Sequence, residues 1–169
     1  VNHGTIASKS MTIKNSGTSL SFSEIESEFG TNPTRSLGSY RVSQNFGDLT
    51  NQPLDAGIPS SGEISFNDFY SKQLNVIVDF YSGGSESRQV AKSRYNNGNV
   101  NVVGGFKSKP SNTSGTHVKI HVNKTISSEN NGDQGVCALR TGNWTSGTTL
   151  SVDVGSSGKI AGAGGNGGR

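Results

Sequence analysis

Residues 59–70 read Pro-Ser-Ser-Gly-Glu-Ile-Ser-Phe-Asn-Asp-Phe-Tyr, and a close relative of this phrase, Asn-Ser-Gly-Thr-Ser-Leu-Ser-Phe-Ser-Glu-Ile, precedes it at residues 15–25. Each copy runs Ser-Gly, a short gap, an apolar residue, and then Ser-Phe followed by a polar residue and an acidic residue. Internal duplication of this kind predicts two copies of one supersecondary unit.

Both copies carry the spacing of a helix-capping box. Ser21 is followed three positions later by Glu24, and Ser65 is followed in the same way by Asp68. A serine at the cap accepts a hydrogen bond from the backbone three residues on, while the acidic side chain reaches back to the N–H of the cap. The spacing therefore predicts a helix directly after each serine, the first of them ending at Gly30.

Three apolar side chains form a stripe on each of these short helices. They are Phe22, Ile25 and Phe29 in the first copy and Phe66, Phe69 and Tyr70 in the second. Helices of one or two turns are not stable alone in water, so the stripes must pack on each other or on something else. Two interpretations stay open, a docking unit covered by neighbouring copies and an ordinary internal core. On the first of these, the six residues are the candidate assembly and attachment residues.

The amino-acid composition limits which classes of protein and which functions are expected. Only 29% of the 169 residues are hydrophobic and 16% are charged, while glycine contributes 24 residues, which suits β-rich modules with many turns. The net charge of +3 comes from scattered lysines and arginines without a basic stripe, so no nucleic-acid binding is expected. No apolar run approaches a membrane span, so no membrane insertion is expected. The single Cys137 excludes an internal disulfide and is predicted to be a small core residue.

The chain divides into three regions by pattern. Residues 1–72 are predicted to be a small helical N-terminal attachment region, residues 73–161 a β domain, and residues 162–169 the start of a glycine-rich tail. Inside the first region, residues 30–58 form an irregular connector with room for one more short helix within residues 36–43.

Alternating apolar residues predict the strands of the β domain. Residues 74–81 and 117–126 show the clearest period of two. The Asn97-Gly98 pair is compatible with a tight hairpin turn. Shorter strands are predicted at residues 136–139, 150–154 and 159–161. The fold class expected from these patterns is mainly β, with an antiparallel β-sandwich-like domain after the helical region.

The sequence offers few residues for chemistry. His117 and His121 lie on one strand face but too far apart to share a metal ion, with Lys119 between them, so a solvated strand face is predicted and no metal site. No catalytic phrase or nucleotide-binding loop occurs, so neither enzymatic activity nor a cofactor is expected. Tyr95 and Trp144 are the candidates for glycan contact, because aromatic rings stack on sugar rings.

Several phrases in their order resemble a recurrent type of bacteriophage fibre protein, particularly from tailed phages of marine bacteria and cyanobacteria. The phrases lie at residues 11–25, 57–70, 103–110, 138–144 and 158–168. The resemblance implies a non-enzymatic virion component that forms a homotrimer and is assembled in the host cytoplasm. Its N-terminal region would attach to other phage proteins, and its glycine-rich distal part would extend toward a glycan or protein of the host surface.

The resemblance leaves the place in the virion open. A tail fibre is the first expectation, and a neck or head fibre or decoration protein is the alternative. A carbohydrate-binding β-module is the second alternative, which predicts saccharide affinity that depends on Trp144 or Tyr95.

Overall fold

The computed structural model describes residues 12–81, 85–104, 106–128 and 137–162. Strand residues outnumber helical residues in this part of the chain, so the fold is mainly β, as predicted. Residues 1–11 of the predicted attachment region, Val136 of the strand predicted at residues 136–139, and all but the first residue of the glycine-rich tail lie outside the described residues.

The helices are short. They are the α-helices α1 (Phe22–Phe29) and α2 (Ala91–Asn96) and the single 3₁₀ turns Leu37–Tyr40 and Phe66–Phe69. The strands are β1 (Ser43–Phe46), β2 (Leu49–Pro53), β3 (Asn75–Phe80), β4 (Glu86–Ser87), β5 (Gln89–Val90), β6 (Val100–Val102), β7 (His117–Val122), β8 (Thr125–Ser127), β9 (Leu139–Arg140), β10 (Thr149–Val154) and β11 (Lys159–Ala161).

Both predicted helix starts are confirmed. The Ser21 N–H donates to Glu24 Oε2 at 2.8 Å, and the Ser65 N–H donates to Asp68 Oδ2 at 2.7 Å. α1 ends at Gly30, whose φ of 95° is a conformation that favours glycine. The second copy makes only a 3₁₀ turn because its apolar stripe spans barely one turn, and the extra short helix predicted within residues 36–43 is the other 3₁₀ turn.

The β domain is built from parallel strands stacked in three successive rungs. β3, β7 and β10 pair in parallel without a register shift, in the spatial order β10-β7-β3. β4, β8 and β11 form a second parallel sheet in the same order, and β5 pairs in parallel with β9. Each circuit of the chain therefore lies on the one before, as in a β-solenoid.

We call β3, β4 and β5 the first rung, β7, β8 and β9 the second, and β10 and β11 the third. The predicted antiparallel pairing of the β domain is wrong, since the only antiparallel pairs among the described strands are β1 with β2 and β6 with β3. The alternation of apolar residues is the same in parallel and antiparallel strands, so it does not encode direction.

Register sorts the side chains of the main sheet into columns. Apolar columns face the solenoid interior, and polar columns face outward over most of their length. The interior columns are Val76-Val118-Leu150, Val78-Ile120-Val152 and Phe80-Val122-Val154, and the outward columns are Asn75-His117-Thr149, Ile77-Lys119-Ser151 and Asp79-His121-Asp153.

The connector at residues 30–58 is more regular than predicted, because it contains the β1–β2 hairpin. This hairpin lies over the outward face of the main sheet, where Lys119 Nζ donates to Gln52 Oε1 at 2.8 Å. On this face Ile77, the one apolar member of the outward columns, is fully buried. The connector therefore covers part of the outward face of the main sheet, which the sequence of the connector did not predict.

Two local predictions in the β domain are wrong. The Asn97-Gly98 pair ends helix α2 instead of joining two strands, since the Gly98 N–H donates to Tyr95 O at 3.1 Å. Cys137 is exposed, whereas its neighbour Ala138 is buried.

Candidate functional site

The two repeated phrases pack against each other within one chain. Phe22 meets Phe66 with ring centroids 6.4 Å apart, and Phe29 meets Phe69 at 6.3 Å. Tyr40 lies among them, within 6.3 Å of three of these rings, and its hydroxyl donates to Gly30 O at 2.7 Å. Sequence reasoning missed Tyr40, because its ring contacts join separate segments of the chain. Burial raises the pKa of the Tyr40 hydroxyl above its ordinary value.

The expectation that neighbouring copies cover the six candidate assembly residues needs correction for three of them. Ile25, Phe29 and Phe69 are already fully buried by their own chain. Phe22 and Tyr70 are half-buried, and the Tyr70 hydroxyl donates to Thr18 O at 2.6 Å. Of the six, Phe66 is the one left exposed, at 38%. The internal core interpretation therefore accounts for most of the stripe.

The two candidate glycan-contacting residues also lie together. Tyr95 and Trp144 meet edge to face with centroids 5.2 Å apart, and Lys92 Nζ lies 4.7 Å from each ring centroid. Tyr95 is only 1% exposed, its hydroxyl donates to Pro110 O, and burial raises its pKa to about 12. The prediction that Tyr95 stacks on a sugar is therefore wrong.

Trp144 is half-buried, with its indole N–H donating to Thr141 O at 2.7 Å. Its role in glycan contact stays a prediction, although Lys92 already occupies one face of the ring. The pair is best described as a small cluster that closes helix α2 against the loop before β10.

The third rung presents an apolar surface. Its interior-facing side chains are Leu150, Val152, Val154 and Ile160, with exposures of 37%, 49%, 48% and 42%. Their partners one rung earlier, Val118, Ile120, Val122 and Ile126, are completely buried. We call these four exposed side chains, together with the edges of β10 and β11 that pair with no described strand, the open end. Sequence reasoning found both strands but not that their apolar faces are uncovered.

The outward face of the main sheet holds a buried histidine between two carboxylates. His121 Nε2 lies 2.6 Å from Asp48 Oδ1, and Nδ1 lies 2.7 Å from Asp153 Oδ2. Asp48 lies in the turn of the β1–β2 hairpin, so the histidine fastens this hairpin to the second and third rungs. The predicted solvated face is wrong for His121, which is fully buried. Neither aspartate is close to it in sequence, so no local pattern indicates this arrangement.

A polar cleft of about 480 Å³ opens on the same outward face. Its walls come from the end of β2, from the turn after the second phrase, and from β3 and β7. His117 and Lys119 line it, together with Asp55, whose Oδ2 accepts a hydrogen bond from the Gln73 N–H at 2.5 Å. Burial lowers the pKa of His117 and raises that of Asp55.

A further ion-pair cluster lies where the first two rungs meet. Lys124 is 6% exposed, and its Nζ lies 2.6 Å from Glu86 Oε1. Arg94 reaches the same carboxylate, with Nη1 3.2 Å from Glu86 Oε2, and stacks on the Phe80 ring at 4.4 Å. These contacts neutralise charge inside the stack, so the cluster is structural.

In the described residues, no group of three or more His, Cys, Asp and Glu side chains is arranged to hold a metal ion. No helix within these same ranges is both long and apolar enough to cross a membrane. Comparison with known proteins gives no match: no family model matches the sequence, no curated protein matches it, and no solved structure matches the chain.

Proposed function

We propose that this chain is a structural subunit of a phage virion fibre that assembles through its open end. The observation that carries the proposal is the contrast between Val152, which is 49% exposed, and Val78 and Ile120 in the same column, which are completely buried. Solenoids with an uncovered terminal repeat are poorly soluble, because each rung depends on its neighbour for burial. Exposed apolar patches with free strand edges are typical of interaction sites.

The opposite end of the stack is closed, which gives the subunit a direction. β6 covers the outer edge of β3, and the residues of the two phrases belong to the same apolar cluster as the first rung. The closed end is therefore suited to attachment to the particle, with the exposed Phe66 as a contact residue, and the open end to continuation of the fibre. This direction agrees with the resemblance of the sequence to phage fibre proteins.

The proposed assembly is a homotrimer without enzymatic activity, located in the virion after assembly in the host cytoplasm. A tail fibre is the first candidate, and a neck or head fibre or decoration protein is the second. The partners are other copies of the chain and the virion proteins that receive its N-terminal region.

Light scattering of the purified protein tests the assembly. Val152→Lys places a charge among the interior-facing residues of the open end, and we expect it to convert the oligomer into monomers, because an unpaired charge is costly to bury. Thr149→Lys is the matched control, since it adds the same charge to the same strand in an outward column. A wild-type protein that stays monomeric at its highest soluble concentration contradicts the proposal.

Labelling of intact phage particles with an antibody against this chain tests the location. Electron microscopy is expected to show the label on a projecting fibre, and the position of that fibre distinguishes tail from neck and head. Absence of the chain from purified particles contradicts the virion assignment even if the protein assembles in solution.

A further inference from the structure

The polar cleft lies where the hairpin leaves part of the outward face of the main sheet uncovered. His117 and Lys119 come from β7, Asn75 comes from β3, and Asp55 faces them from the segment after β2. The volume of about 480 Å³ falls within the range of small-molecule sites. Rigid elements supply two of the walls, so the site is formed before any ligand arrives.

The charges in the cleft are balanced. Asp55 supplies one acidic group and Lys119 one basic group, and burial lowers the pKa of His117, which favours its neutral form. An anionic ligand meets the carboxyl of Asp55, and a cationic ligand meets the ammonium of Lys119. A neutral ligand that both donates and accepts hydrogen bonds can use each of these groups.

The remaining lining combines an apolar wall with further polar groups. Pro53 and Ala56 give apolar contact area, and the Gln52 side chain lies beside them. Asn75 is 7% exposed, and its Nδ2 donates to Pro53 O at 3.4 Å, which ties β3 to the end of β2 beside the cleft.

We propose that this cleft binds a neutral saccharide. A sugar ring has hydroxyl groups that donate and accept at its rim and C–H groups on its faces, which matches the mixed polar and apolar lining. This site differs from the Tyr95 and Trp144 pair, and it faces outward, whereas the side chains of the open end face inward. Saccharide binding and assembly can therefore succeed or fail separately.

Ligand-observed saturation-transfer NMR tests the proposal, because it detects weak binding whether the protein is monomeric or assembled. The probes are glucose, galactose, mannose, maltose and lactose, and the charged comparisons are glucuronate and glucosamine. We expect saturation transfer to at least one neutral sugar and a weaker signal for both charged ones. No transfer to any of the five neutral sugars, or a stronger signal for a charged sugar, overturns the proposal.

Substitutions in the cleft locate the binding. Ala56→Trp fills the cleft from an exposed position and is expected to weaken binding by about tenfold or more. Ser156→Trp, in an exposed turn beyond β10, is the matched control and is expected to leave binding unchanged. If Ala56→Trp fails to fold, Asp55→Asn is used instead, and it is expected to weaken saccharide binding by about threefold to tenfold. Binding that persists in the folded cleft variant, or that depends on Trp144, overturns the proposal.

Discussion

The first and third rungs have the same pattern of apolar residues and opposite burial. Val76, Val78 and Phe80 in the first rung are completely buried, while Leu150 and Val152 at matching positions of the third are 37% and 49% exposed. Both strands pair with β7 in the same parallel register. The two rungs differ in what packs over them, since β6 and the N-terminal helices cover the first rung and no described residue covers the third. A period of two in the apolar residues therefore predicts that one strand face is buried, but it does not predict which part of the molecule covers that face.

The largest expected effect is at the closed end. Phe29→Ala removes a fully buried ring that contacts Tyr40 and Phe69, and we expect a loss of about 3–5 kcal/mol of unfolding free energy, because the surrounding rings cannot fill the cavity. Denaturant unfolding followed by circular dichroism measures it. Val154→Ala, at the open end, is the matched comparison and is expected to cost about 1 kcal/mol or less. Equal losses of unfolding free energy for the two variants contradict the difference in burial between the closed end and the open end.

The next largest effect is expected at Gly30, where two backbone segments of the closed end lie close together. A Cβ on Gly30 would lie 2.0 Å from Phe106 O, at a φ of +95°. We expect Gly30→Ala to destabilise the protein by about 3 kcal/mol, from backbone strain together with overpacking. Gly17→Ala is the control, because Gly17 has a φ of +110° with no atom within 4 Å, and it is expected to cost about 1–2 kcal/mol. Thermal unfolding that shows no difference between the two variants argues against this contact.

A buried carboxyl joins the closed end to the first rung and gives a pH effect. Glu28 is 2% exposed, it accepts a hydrogen bond from the Leu74 N–H, and burial raises its pKa from 4.5 to about 7. The folded state therefore holds this proton more tightly than the unfolded state does. Its contribution to stability is complete below pH 4.5 and is lost as the pH rises to about 7.

Glu28→Gln removes this titration and keeps an oxygen that can accept from Leu74. We expect the variant to be more stable than the wild type at pH 8 by about 1–3 kcal/mol, and its advantage to shrink toward pH 4. Urea unfolding at a series of pH values measures both parts. An advantage that does not depend on pH contradicts the raised pKa of Glu28.

The parts of the fold that local sequence determines were predictable. The cap at Ser21 and Glu24 requires only four residues, and the alternation along β7 and β10 requires only neighbours two apart. Strand direction was not predictable from alternation. The long connections between β3, β7 and β10 were the available sign of parallel pairing, because parallel strands need a crossover.

The candidate sites were less predictable, because their contacts join distant residues. His121 is buried by Asp48 and Asp153, which lie 73 and 32 positions away, so its strand alone indicates exposure. Tyr95 lies on a helix too short to show a clear period, although Ala91 and Tyr95, four residues apart on one helical face, both point to the core. The cleft depends on where the β1–β2 hairpin ends, and the connector sequence did not indicate a hairpin.

The smallest expected effect gives the most direct test of the contrast, because it compares one substitution within a single column. Val78→Thr puts a hydroxyl where no water reaches, and we expect it to cost about 1–3 kcal/mol. Val152→Thr makes the same chemical change two rungs away, where the side chain is 49% exposed, and is expected to cost less than about 0.5 kcal/mol at low protein concentration. Under the proposed assembly, this second cost grows with concentration, because the hydroxyl is then buried against another copy. A cost for Val152→Thr as large as that for Val78→Thr at every concentration means that the chain itself covers the third rung, and the open end is then no assembly surface.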